Sequence, residues 1–196
     1  MKNLIITIGI LLSTLSNNVY AQTKIGSKFN EKFADSLLFE MINQKRVSLG
    51  LTPYYKSKTV SKYISKRNAN IMVSMKTMFH PKFDWEHDSD LAKKVGLIGK
   101  EYRKINKTNN NYSKSTGIPY AVFMGEVACG GVNASQYETY ENLLNLVIEG
   151  WYKSSGHRVI VFTKESANEG ETSFIGVSIK LDSNGNFYAV ANLIIL

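Results

Sequence analysis

The sequence predicts an α+β fold in which helices pack on a mostly antiparallel sheet. Two long stretches carry apolar residues at helical spacing, and the chain closes on two alternating stretches joined by Asn-Gly. Strands and helices do not alternate as a doubly wound parallel unit would require. No internal repeat is present, and 196 residues suit one domain with a sizeable core.

The first residues are set apart from that domain. Lys2 gives a short positive start, Leu4 to Leu15 an apolar run, and Val19-Tyr20-Ala21 a small-residue cleavage site. The pattern is that of a secretory leader over residues 1–21, leaving Gln22–Leu196 as the mature chain. The apolar run is shorter than the roughly 20 residues needed to span a bilayer, so no transmembrane segment is expected after cleavage. A single cysteine, Cys129, excludes an intramolecular disulfide. In the small-residue setting GEVACGG it reads as a small buried hydrophobe rather than a nucleophile.

Phe29 to Leu49 reads as the first helix. Phe33, Leu37, Met41 and Ile42 share a face, and Gly50 stands at the C-terminal cap. Thr59 to Met78 reads as the second, with a core stripe of Val60, Ile64, Ile71, Met75 and Met78. Periodicity fades from Pro81 to Gly117, where the polar tract KINKTNNNYSKSTG reads as a surface loop. Ile118 to Met124 is short and apolar, as in a buried strand. Ser135 and Glu138 fit a capping box opening a third helix, in which Tyr140, Leu144, Val147 and Trp151 recur. That helix should end near Ser154–Gly156. Ser173 to Leu181 and Phe187 to Ile194 form the closing hairpin.

Three ionisable residues follow structural breaks, where side chains converge on clefts. His80 follows the second helix, Glu126 follows a strand, and His157 follows a helix end, in GWYKSSGHRVIVF. Neutral imidazoles are good zinc ligands, and a carboxylate can orient one or accept a proton. Glu86-His87 lacks the histidine spacing of a zinc-protease helix. Ser154 and Ser155 stand too close to His157 for a usual triad.

Taken together these features resemble the CAP superfamily, the SCP domain of cysteine-rich secretory proteins, antigen 5 and plant pathogenesis-related proteins. The resemblance runs from about Leu37 to Leu193. It rests on Met41–Arg46, Leu49–Tyr54, Gly125-Glu126 and, above all, Trp151-x-x-Ser-x-Gly-His157-Arg158, which is similar to the bacterial branch. It implies a three-layer α-β-α sandwich with a central, mostly antiparallel sheet, and a single domain over 22–196 with an insertion around 84–117. It further implies a cleft lined by His80, Glu126, Ser154 and His157. There His80 and His157 would be the metal ligands for a divalent ion such as zinc, Glu126 the catalytic group, and Trp151 and Gly156 packing and turn residues. Three departures stand out: Val127 replaces the family's asparagine, Ser154 takes the second acidic position, and Ser155 replaces a proline. With one carboxylate fewer, no metal is required.

The formal charge is +8, which suits anionic surfaces such as phospholipid head groups or acidic glycans, and equally a charge that only keeps an exported protein in solution. Nucleic acid is not an expected partner, because the cations are scattered and export removes it. Two functions follow from the resemblance. One is a secreted or periplasmic, cell-envelope binding module for a lipid, glycan or protein partner. The alternative is a metal-assisted hydrolase of peptide or envelope polymer using His80, His157 and Glu126.

Overall fold

The computed structural model describes residues 23–26, 28–80, 123–163 and 173–195. The expected leader, the 84–117 insertion with Glu86-His87, and the first residues of the Ile118–Met124 strand lie outside them. In chain order the elements are α1 (Glu31–Ser48), β1 (Tyr55–Lys56), α2 (Lys58–Val60), a π-helical turn (Ser61–Ser65) and α3 (Lys66–Met75). There follow β2 (Phe123–Asn133), a 3-10 turn (Ala134–Gln136), α4 (Tyr140–Lys153), α5 (Ser155–Val161), β3 (Ser173–Leu181) and β4 (Asn186–Ile195).

The sheet is built on the closing hairpin. Gly185 adopts φ +80° in the turn, and Asp182 Oδ1 accepts from the backbone of Asn184 and Asn186, so the turn fixes the register locally. The strand order is β1-β3-β4-β2. Both long pairings are antiparallel, and the short β1 runs parallel to β3. Alternation along each strand then feeds two cores. Ile175, Val177 and Ile179 face α1 and α4, together with Phe187, Ala189, Ala191 and Leu193. Ala128, Tyr188 and Val190 face Ala69 and Met72 of α3. The result is an α+β fold with helices on both faces of a mostly antiparallel sheet. Among the described residues no helix is long and apolar enough to cross a membrane.

Three local expectations are corrected. The capping box at Ser135–Glu138 does not form: Thr139 caps α4, its hydroxyl accepting from Asn142 N at 3.2 Å. Ser135 instead bonds Asn133 within the 3-10 turn. Gly156 is not a turn residue with a left-handed backbone, but part of α5. The second helix also changes phase. The π turn adds one residue to the helical ladder and rotates everything after it by about 100°. Val60 and Ile64 are buried as expected, but the inward positions beyond the turn are Asn68, Ala69 and Met72. Met75, expected in the core, is 58% exposed. The helix then ends at a left-handed Lys76, so Met78, expected on the same stripe, lies beyond it and is 50% exposed.

Candidate functional site

Glu126 on β2 stands opposite Asn192 on β4, which stands opposite Gly176 on β3. This row crosses the sheet beneath the second helical run. A Cβ on Gly176 would lie 2.6 Å from the Val60 carbonyl carbon and closer still to Ser61 N. Only glycine therefore lets the π turn settle directly on the sheet. Ser61 uses the proximity, its Oγ accepting from Val177 N at 3.2 Å.

Because the turn sits so low, Ser65 Oγ reaches Asn192 Oδ1 at 2.9 Å, and Asn192 Nδ2 donates to Glu126 Oε2 at 2.8 Å. Asn68 Nδ2 donates to the same oxygen from α3. Ser65, Asn68 and Asn192 are all buried, and the Glu126 side chain is only 9% exposed. A carboxylate removed from water needs such donors, and here they come from α3 and β4, with Ser65 of the π turn holding the Asn192 amide in place. The other oxygen, Oε1, lies 3.0 Å from His80 Nδ1. That contact places the Nδ1 proton toward Glu126 and leaves Nε2 of a half-exposed ring free of it.

His157 approaches from the other helical layer. It sits in α5 rather than in a loop, and its ring centroid is 6.1 Å from that of His80, at 62°. Burial, and then the neighbouring His80, hold the His157 imidazole below its usual range. Arg46 anchors the end of α5. Its buried guanidinium donates to Thr52 O, Tyr54 Oη and Val161 O at 2.6–2.8 Å and stacks 3.7 Å above the Tyr54 ring.

The structure therefore brings His80, Glu126 and His157 to one place. It leaves Ser154 outside the hydrogen-bonded group: its backbone precedes α5, and its side chain makes no capping bond. Trp151 is 1% exposed in the core below α4, where its Nε1 has no partner among the described residues. Cys129 is partly buried, and burial pushes its thiol up, against nucleophilic use. Arg158 is exposed, 6.0 Å from the Tyr152 ring centroid. Asn68, Asn192 and Ser65 were not legible as site residues. The one available signal was an asparagine in the apolar run AVANLII, a costly place for an amide without a partner.

As a metal centre the donor set is partial. His80 and His157 offer two imidazoles, and Glu126 serves as the group behind His80 rather than as a third ligand. Among the described residues no group of three histidine, cysteine or acidic side chains is placed to hold a metal ion. Such a set suits a labile divalent ion completed by water or ligand atoms, not a closed structural site.

No family model matches the sequence, and no curated protein is similar to it. Among solved structures the chain is similar to an outer surface protein from Borrelia burgdorferi, with a TM-score of 0.51 and 16% identity. The match covers 88% of this chain and 97% of that one. At this identity the likeness shows the fold alone.

Proposed function

We propose that this chain is an exported binding module of the CAP superfamily type, acting at the cell envelope through the His80–Glu126–His157 cluster. One observation carries the choice of binding over catalysis. Both oxygens of Glu126 are engaged, Oε2 by Asn68 and Asn192 and Oε1 by His80. A general base needs an oxygen turned toward the substrate, whereas this carboxylate is turned inward and fixes a ring. What the cluster presents outward is imidazole, suited to a polar group of a lipid, glycan or protein ligand, with or without a labile zinc ion. The leader pattern and a structural neighbour named as an outer surface protein support the envelope setting.

The test compares the mature chain with a His80→Ala/His157→Ala variant. Zinc affinity is measured by calorimetry, and retention on envelope lipid and glycan fractions is measured with and without the metal. Retention lost in the variant supports the binding reading. A metal-dependent hydrolysis of peptide or envelope polymer that disappears with either histidine would replace it with the hydrolase.

A further inference from the structure

The phase change at the π turn exposes a second surface, separate from the histidine cluster. Had the helical period continued unbroken from Val60, Ile71 and Met75 would lie in the core. Instead Ile71 is half-buried and Met75 exposed, and Met78, past the end of α3, is exposed as well. Beside them the helical run carries Lys58, Lys62, Lys66, Arg67 and Lys76, all exposed. No aspartate or glutamate occurs anywhere from Met41 to His80. An open groove of about 610 Å³ follows this face, lined by Lys62, Tyr63, Lys66, Arg67, Asn70 and Ile71. Neither histidine nor Glu126 lines it.

We propose that this groove and the methionines beyond it dock the protein on an anionic phospholipid bilayer. Two rows follow from helical spacing. Lys62, Lys66 and Asn70 form one, and Tyr63, Arg67, Ile71 and Met75 the other. The cations match phosphate head groups, and the stretch that carries them holds no carboxylate of its own. Ile71, Met75 and Met78 add to the cations apolar surface that gains by entering the acyl boundary. That surface decides against an acidic glycan as the occupant, because a polysaccharide leaves the methionines in water. Lys62 and Tyr63 combine both features in miniature, the ammonium lying 4.9 Å from the ring centroid.

The experiment is co-sedimentation of the mature chain with vesicles of phosphatidylglycerol and phosphatidylcholine in equal parts, and with phosphatidylcholine alone. Binding to the mixed vesicles alone, weakening with salt, is expected. Lys62→Glu/Lys66→Glu/Arg67→Glu should lower it by at least roughly a hundredfold, at about a kilocalorie per surface cation. Met75→Ser/Met78→Ser should weaken it with no change in net charge. All these side chains but Arg67 are exposed without a structural hydrogen bond to lose, and circular dichroism verifies each fold. Lys28→Glu/Lys32→Glu/Lys153→Glu makes the same charge change elsewhere and should retain most of the affinity. Equal loss in that control, full binding by the groove variant, or binding to acidic glycans but not to vesicles overturns the proposal. Vesicle binding lost in His80→Ala/His157→Ala but kept in the groove variant would assign lipid to the histidine cluster instead.

Discussion

Asn192 and Glu126 are direct cross-strand partners, and the Asn192 amide donates to Glu126 Oε2 at 2.8 Å. The pair is the hub of the site, since Ser65, Asn68 and His80 each bond to one of its two members. An asparagine in the middle of an apolar strand is thus explained by the carboxylate beside it.

Asn192→Ala should therefore destabilise the fold by about 1–3 kcal/mol, because it leaves Ser65 Oγ without its acceptor and Glu126 with one donor fewer. Urea denaturation measures the loss. A variant as stable as the parent would mean that Glu126 is satisfied without the row described above.

Gly176→Ala tests the close approach of the π turn. The added carbon meets backbone atoms of Val60 and Ser61, which cannot rotate away, so a cost of at least about 1–3 kcal/mol is expected. Relief requires the turn to lift, and the His80 resonances should then shift as Ser65 withdraws from Asn192. A stability change with unmoved histidine signals would show that the turn does not set the site.

Asp35 supplies a pH dependence. Its Oδ1 accepts from Ile179 N at 2.7 Å, covering the edge of β3 beyond the short β1. Burial pushes its carboxyl up to about 6, against the lowering effects of the Ile179 N–H and Lys180. The folded state thus holds this proton more tightly than the unfolded chain does. The stabilisation is complete below the unfolded value near 3.8 and is lost as pH rises through about 6. Asp35→Asn keeps an acceptor and abolishes the titration. It should be more stable than the parent by roughly 3 kcal/mol at pH 8, with the gap closing below pH 4. Thermal melts across that range would refute this if the gap ran the other way.

His157 should titrate below an unfolded histidine in NMR spectra of the folded protein. Its folded state disfavours the proton, so its contribution to stability falls as pH drops through the unfolded value near about 6.5. His80→Ala should raise the midpoint only in part, because burial, the larger cause, remains. A full return to the ordinary value would reverse that ranking.

What the sequence disclosed was local. The cap at Gly50, with φ +72°, and the Asn-Gly hairpin are written in residues that do the work themselves. His80, Glu126 and His157 were visible as ionisable groups at breaks in pattern. The contacts that join them depend on strand register and on the π turn, and neither leaves a local mark. Asn68 sits among polar neighbours in KRNAN, and Gly176 is one glycine within an apolar strand. The same hidden turn explains why helical spacing alone places Met75 in the core, whereas Met78 lies past the left-handed Lys76 that ends α3. Thr139 takes the cap from Ser135 because the chain first makes a 3-10 turn, which the spacing of Ser and Glu does not register.

The two histidines belong to different halves of the sandwich. Phe79, beside His80, packs on the core under α3, whereas α5 places Val161 in the core shared with α1 and α4 and is tied by Arg46 to the α1 layer. A guest gripped by both rings is therefore a clasp across the flank of the sheet. It would make the layers separate later and together on heating, so occupancy would be readable as cooperativity of melting.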